Sequence, residues 1–149
     1  MVMLEVYDAD GGVGSKFVNI ATRAYATTGN GVAIGGFVVS GNASKNILIR
    51  AVGPTLSTQG LNQSEVLADP MIELHRGSPV IASNDDWASS ANKDDITATA
   101  VRIGATPFAE TDSASSALLV NLQPGVYSFI ASGKNSSSGI VLVEIYDAD

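Results

Sequence analysis

Short runs of alternating apolar and polar residues recur along the chain, separated by segments rich in glycine, proline, asparagine and serine. Alternation with a period of two, carried by β-branched and aromatic residues, is typical of half-buried β-strands. The pattern predicts one short helix, from Asp94 to Ile103 with Asn92 or Asp94 as its cap, and a helical turn near Ser64–Leu67. The predicted strands span 17–22, 32–40, 46–52, 71–75, 79–83, 116–121, 126–132 and 140–147. We therefore expect one all-β domain, an antiparallel β-sandwich with a jelly-roll-like arrangement and at most one short helix.

The first and the last strand-forming segments of the chain are nearly the same. Residues 2–10 read V-M-L-E-V-Y-D-A-D, and residues 141–149 read V-L-V-E-I-Y-D-A-D. Six of the nine positions are identical, and the other three exchange one apolar residue for another. A repeat of this kind indicates an array of equivalent units. We divide the chain into an N-terminal strand, 1–10, which links units, and a β-sandwich domain, 11–149.

One fold has one place for a given strand, so one of the two copies is left over. An unpaired apolar strand pairs with the edge that it meets. If it adds to the next copy of the protein, the head-to-tail contact does not close, and a filament results. Alternatively, residues 1–10 belong to the preceding repeat of a tandem array. The junction is expected to involve Val2, Leu4, Val6 and Tyr7 of the first strand and Val141, Val143, Ile145 and Tyr146 of the second.

Composition narrows the class of protein further. The net charge is −7, and the eight lysines and arginines are scattered singly, so the chain lacks the cationic stripe of a nucleic-acid-binding protein. Its apolar runs are too short for a membrane span, and without cysteine it forms no disulfide and no thiolate metal site. Only 15% of the residues are charged, which suits an extracellular β protein or one with much of its surface in contacts.

Several segments together resemble known bacterial modules. Residues 72–87 (I-E-L-H-R-G-S-P-V-I-A-S-N-D-D-W), 122–133 and 139–147 resemble pre-peptidase C-terminal-like β-sandwich domains. Residues 34–41 (I-G-G-F-V-V-S-G) and 47–56 (I-L-I-R-A-V-G-P-T-L) extend the resemblance to a repeated module of large secreted proteins of Verrucomicrobia-type bacteria. The resemblance implies a non-catalytic surface or structural role.

An acidic turn follows the predicted strand 79–83. Asn84, Asp85 and Asp86 supply three oxygen-bearing side chains, the ligands that Ca²⁺ prefers. Asp69 or Asp112 is a further candidate ligand. The alternative is an Asx-turn that holds no metal. Calcium is the one cofactor that the sequence suggests.

Other chemistry-bearing residues give weaker signals. His75 is the only histidine, and no G-x-S-x-G sequence accompanies it, so we expect no catalytic triad and no enzyme. Trp87 either packs over one end of the sandwich or stacks on a sugar. The sequons at Asn42, Asn62 and Asn135 are candidate glycosylation sites. Gly35-Gly36, inside a predicted strand, indicates a bulge or close packing.

The sequence thus favours an extracellular structural protein, a subunit or repeat of a head-to-tail filament or surface array joined by β-strand complementation. Its main partners would be identical copies of itself, through a covalent or a non-covalent linkage. The alternative function is a non-catalytic adhesin or carbohydrate-binding module that binds glycans.

Overall fold

A computed structural model describes residues 17–149 as two antiparallel sheets of four strands each, packed face to face. The first sheet has the order β1-β8-β3-β6, and the second has the order β2-β7-β4-β5. The strands are β1 (Asn19–Ala26), β2 (Ala33–Val39), β3 (Lys45–Val52), β4 (Pro70–His75), β5 (Val80–Asn84), β6 (Ser116–Leu122), β7 (Gly125–Gly133) and β8 (Gly139–Asp147). The duplicated N-terminal strand and the linker that follows it lie outside the described residues.

The pairing of the strands follows a simple rule. β1 pairs with β8, β2 with β7, β3 with β6 and β4 with β5, each pair antiparallel. The chain therefore runs as one long hairpin that is rolled up, so that β3 also meets β8 and β4 also meets β7. This is the jelly-roll arrangement. The predicted fold class, an antiparallel sandwich of the jelly-roll type, is confirmed.

The core between the sheets is filled by the inward-facing residues of both. In β3 these are Ile47, Ile49 and Ala51, which pack with residues such as Ile72 and Phe129 of the second sheet. The residues between them, Leu48, Arg50 and Val52, are buried as well, because they lie on the outer face of the first sheet under other parts of the chain. A strand covered on both faces reads as a nearly continuous apolar run, as this one does.

One α-helix, α1 (Lys93–Arg102), covers part of that outer face. Ile96 and Ala100, one turn apart, pack with Leu48 of β3 and Tyr146 of β8. Asp94 and Asp95 lie in the first turn and Arg102 in the last, which suits the helix dipole at both ends. Asn92 is the N-cap residue but caps no backbone amide; its side chain donates instead to the carbonyl of Leu119. In the described part of the chain, no helix is long and apolar enough to cross a membrane.

The structure corrects several predicted boundaries. β1 lies later and is longer than the predicted 17–22, because its partner β8 runs back to Gly139, which pairs with Ala26. The predicted helical turn near Ser64–Leu67 is wrong: residues 63–65 form a plain turn, and a short 3₁₀ helix lies earlier in this loop, at Pro54–Gln59. Proline at the start of that segment presets its backbone for a helical turn.

Gly35 allows the edge strand β2 to approach the core closely. β2 and β7 pair without a register shift, so the glycine pair marks close packing and not a bulge. A Cβ atom on Gly35 would lie 2.3 Å from the ring of Phe129, whereas one on Gly36 would lie 3.7 Å from the nearest heavy atom outside its chain neighbours, the carbonyl oxygen of Tyr127. Of the two adjacent glycines, only Gly35 has no room for a side chain.

Gly35→Ala is expected to lower the free energy of unfolding by about 1–3 kcal/mol, because the added methyl group displaces a ring packed in the core. Gly36→Ala is the matched control and is expected to change stability by less than about 0.5 kcal/mol. Urea denaturation of the two variants checks the prediction, and equal midpoints would contradict it.

Candidate assembly site

The C-terminal copy of the duplicated strand occupies the interior of the first sheet. β8 pairs with β1 on one side, from Asn19 opposite Tyr146 to Ala26 opposite Gly139, and with β3 on the other. Its inward residues Val141 and Val143 are buried in the core. We call the space between β1 and β3 the strand slot. In this structure the slot is filled by the protein's own β8.

A buried ion pair fixes β8 in the slot. The side chains of Arg50 on β3 and Glu144 on β8 are 1% and 7% exposed, and their backbones are directly opposite each other. Arg50 Nε donates to Glu144 Oε2 at 2.9 Å, and Nη2 lies 2.8 Å from the same oxygen. The hydroxyl of Tyr146 donates to the other carboxylate oxygen at 2.8 Å. Both oxygens of the buried carboxylate are therefore satisfied.

The remaining faces of the guanidinium are also occupied. Arg50 Nη1 donates to the carbonyl of Thr106 at 2.8 Å. The guanidinium carbon lies 4.5 Å from the ring centroid of Phe108, which stacks on Trp87 at 4.6 Å. The indole N–H of Trp87 donates to the carbonyl of Asp112 at 2.7 Å. The segment that follows α1 thus closes over the ion pair, and Trp87 has the packing role that was one of its two predicted roles.

The end of the strand is held by polar contacts. Lys45 Nζ lies 3.2 Å from a carboxylate oxygen of Asp147 and 3.2 Å from one of Asp149. The backbone N–H and side-chain amide of Asn46 donate to Asp149 at 3.2 and 2.9 Å. The Asn46 backbone contact and then the Lys45 ammonium lower the pKa of Asp149 from its ordinary value. Between these residues, Ala148 is buried, and Arg102 donates to its carbonyl oxygen.

Nearly every side chain that makes these contacts has a counterpart in residues 2–10. Glu5, Tyr7, Asp8, Ala9 and Asp10 are the same residue types as those at 144 and 146–149, and Val2 repeats Val141. The sequence Glu-x-Tyr occurs only at these two places in the chain. The predicted junction residues Val2, Leu4, Val6 and Tyr7 lie outside the described residues. Their counterparts Val141, Val143, Ile145 and Tyr146 lie inside the molecule's own sheet.

Sequence reasoning did not identify Arg50 as part of the site. The signal was present as one arginine within the apolar run I-L-I-R-A-V and one glutamate within the apolar run V-L-V-E-I. Charges at buried strand positions are rare unless they are paired. Two opposite charges of this kind are therefore candidates for neighbouring strands.

The predicted calcium residues are used mainly for internal contacts. Asn84 Oδ1 accepts from the backbone N–H of Ala117 at 2.9 Å, and its amide group donates to Ser90 Oγ at 2.9 Å. Asp85 and Asp86 lie 2.6 and 3.8 Å from Lys134 Nζ. Among residues 17–149, no three His, Cys, Asp or Glu side chains are placed to hold a metal ion. Calcium binding stays a prediction.

The two further calcium candidates lie in different surroundings. The pKa of Asp69 is raised from its ordinary value, mainly by burial; Lys134 lowers it, and Asp86 and Asp85 raise it. Asp69 therefore belongs to the same acidic group. Asp112 lies in the interior and accepts from Thr55 N–H at 2.9 Å, Thr55 Oγ1 at 2.5 Å and Ser115 Oγ at 2.6 Å. Asp112 therefore holds two loops together.

The remaining candidate residues are the three sequon asparagines and His75, whose side chain is 14% exposed. Asn42, Asn62 and Asn135 are exposed, and the amide of Asn62 donates to Glu65 at 2.6 Å. Glycosylation at these three positions stays a prediction. His75 lies on β4, with Nδ1 3.3 Å from the carbonyl of Ser78 and Nε2 3.6 Å from Glu73. The absence of enzymatic activity likewise stays a prediction.

Comparison with known proteins adds one structural likeness. No protein-family model matches the chain, and no curated protein matches it. It is similar to the pre-peptidase C-terminal domain of a collagenase from Bacillus anthracis, with 14% identity, 86% of this chain and 89% of that chain covered, and a TM-score of 0.47. That domain is of the type that the second half of the sequence resembles. The strand pairing by itself defines the fold. The resemblance to repeated modules of Verrucomicrobia-type bacteria stays a prediction.

Replacing Arg50 tests the ion pair directly. Arg50→Met is expected to cost about 3–5 kcal/mol of stability, because it leaves the Glu144 carboxylate buried without a cation. Arg23→Met, on the exposed strand β1, is the matched control and is expected to cost less than about 0.5 kcal/mol. Guanidinium denaturation measures both, and an Arg50→Met variant as stable as the control would show that the pair does not hold β8.

The same cluster predicts a loss of stability at alkaline pH. Burial, followed by the hydrogen bond to Glu144, raises the pKa of Tyr146 from 10.0 to about 12. The contribution of Tyr146 is complete below pH 10. It is lost between pH 10 and about 12, because the unfolded chain ionises there and the folded one does not. Tyr146→Phe is expected to flatten this part of the stability profile relative to the unaltered protein. Identical slopes in the variant and the unaltered protein between pH 9.5 and 11.5 would contradict the assignment.

Proposed function

We propose that this protein is a structural module of an extracellular or cell-surface protein, joined end to end with copies of itself in a filament or surface array. The joining element is the duplicated strand, which complements the sheet of a neighbouring unit. A covalent tandem repeat and a non-covalent polymer would both use the strand slot in this way. The module has no catalytic role in this proposal.

One observation carries the proposal: the slot and residues 2–10 match in chemistry as well as in apolar pattern. A strand that enters the slot must bring an anion to Arg50, since a buried cation without a partner is strongly unfavourable. It must also bring small or branched apolar residues at the positions of Val141 and Val143. Residues 2–10 supply Glu5 and the apolar pair Val2 and Leu4 at those places.

The end of the segment matches as well. Asp8 and Asp10 repeat Asp147 and Asp149, whose carboxylates contact Lys45 and Asn46. Ala9 repeats Ala148, whose small side chain is buried. A generic apolar strand would need none of these features. Their recurrence supports a strand adapted to this slot.

The carbohydrate-binding alternative gains no support from the described contacts. It rested on Trp87, whose indole N–H is bonded to Asp112 and whose ring stacks on Phe108. We therefore propose no second function.

Negative-stain electron microscopy and size-exclusion chromatography test the proposal. The full chain is expected to form long thin fibres or strand-dependent oligomers, and a variant of residues 11–149 to remain monomeric at the same concentration. Fibres formed equally by both would contradict strand sharing. Monomers from both would contradict a non-covalent polymer and leave the covalent repeat.

A pair of point variants refines that test. Leu4→Asp places a charge at the position that Val143 fills in the core and is expected to abolish assembly. Ser15→Asp adds the same charge outside the duplicated strand and is expected to assemble as the unaltered chain does. Equal assembly by the two variants would show that residues 2–10 do not enter a core.

A further inference from the structure

We propose that residues 2–10 also fill the strand slot of their own molecule, in the register of β8, so that the fold has two interchangeable eighth strands. This inference rests on the proposed function, and it adds where the extra strand goes within a single chain. We call the arrangement described above the C-frame and the arrangement with residues 2–10 in the slot the N-frame.

The rolled-up hairpin brings the start of β1 and the end of β8 together. β1 and β8 are adjacent and antiparallel, and the backbone N–H of Asp147 donates to the carbonyl of Val18 at 2.9 Å. A strand that enters the slot from the N-terminal side therefore has to turn back only once, directly into β1. The product is an ordinary antiparallel hairpin.

The register follows from the sequence repeat. Tyr146 lies opposite Asn19, and Leu142 lies opposite Arg23. By the repeat, Tyr7 would lie opposite Asn19, and Met3 opposite Arg23. All the contacts of Glu144 with Arg50 and of the terminal aspartates with Lys45 and Asn46 would be available to Glu5, Asp8 and Asp10.

The linker is long enough and has a suitable composition. Residues 11–16 (G-G-V-G-S-K) connect the end of the duplicated strand to Phe17. Six residues span up to about 20 Å when extended, and neighbouring strands are about 5 Å apart. The three glycines accept the backbone conformations with positive φ that turns require.

The turn that leads into β8 is less favourable. Asn135 and Ser136 have φ values of 51° and 62°, a region that side chains other than glycine rarely adopt. The N-frame does not need this turn. The C-frame in return keeps Ile140, whose backbone N–H donates to the carbonyl of Glu65 at 2.7 Å and whose carbonyl accepts from the N–H of Leu67 at 2.8 Å. Each frame therefore has a local advantage that offsets that of the other.

The two strands exclude each other, because the slot between β1 and β3 has room for one strand and its buried cation, Arg50, pairs with one glutamate. The strand that does not occupy the slot still carries the glutamate, tyrosine and aspartates with which it could bind another slot. That strand is residues 2–10 in the C-frame and β8 in the N-frame. The frame would therefore decide which end of the molecule presents the strand to a neighbour.

Truncation tests the inference. A variant of residues 1–138, which lacks β8, is expected to be a folded monomer with cooperative unfolding, as is the variant of residues 11–149. In the 1–138 variant, Glu5→Ala is expected to lower Tm by at least about 6 °C, because Arg50 loses its partner. Met3→Ala is the control, since it leaves the ion pair intact.

Three other results have distinct meanings. If 1–138 folds only as a concentration-dependent oligomer, the strand acts between molecules: the inference fails and the proposed function stands. If 1–138 is unfolded and a peptide of residues 139–149 restores it but a peptide of residues 1–16 does not, both fail. If Glu5→Ala does not change the Tm of the 1–138 variant, the predicted register is wrong.

Disulfide trapping in the full chain covers the case in which neither peptide restores the truncated variant. The protein has no cysteine, so Arg23→Cys can be combined with Met3→Cys to report the N-frame and with Leu142→Cys to report the C-frame. Arg23→Cys with Leu4→Cys, one position out of register, is the control. These pairs are compared in a Glu144→Ala background, which weakens the C-frame.

We expect a monomeric intramolecular disulfide from the Met3→Cys pair on non-reducing gels, and much less from the control. Disulfide-linked dimers in place of the monomer would overturn the inference and keep strand sharing between molecules. No disulfide from the Met3→Cys pair would overturn the inference, whatever the truncated variant does.

Discussion

The buried pair of Arg50 and Glu144 constrains the structure more than any other contact described. It joins the centre of β3 to the centre of β8. The second carboxylate oxygen of Glu144 accepts from Tyr146, and Arg50 also donates to the carbonyl of Thr106 in the segment that follows α1. A buried pair of this kind adds little to stability compared with an apolar pair, but a mismatched partner is strongly disfavoured. Its effect is therefore selection: the slot accepts a strand with glutamate at one position and rejects other apolar strands.

This selectivity explains why the repeated segment is longer than its apolar part. Val141 and Val143 would suffice to fill the core, yet the repeat extends through D-A-D at 147–149. In the structure, those three residues contact Lys45, Asn46 and Arg102 beyond the last core residue. The repeat therefore includes residues that make polar contacts as well as residues that fill the core.

The sequence predicted the positions of the strands and the helix well, but not which strands are neighbours in the sheets. Alternation located all eight described strands to within a few residues, because it reports which face of a strand is buried. The capping residues located α1 with the same accuracy. Alternation carries no information on which strands pair, so the rolled order and the meeting of Arg50 with Glu144, 94 positions apart, could not be derived. The acidic turn shows the same limit: Asp85 is visible in the sequence, but its partner Lys134 follows β7, on a distant part of the chain.

The adjacency of β1 and β8 also has a mechanical consequence. Because Asn19 and Tyr146 are paired at one end of the sheet, a pull on the two ends of the domain acts on a single edge of this strand pair. The hydrogen bonds between antiparallel strands are perpendicular to the strands. Such a load is therefore applied to one hydrogen bond after another and not to all of them together. A unit of this kind yields at low force and lengthens, and a chain of such units would be an extensible tether.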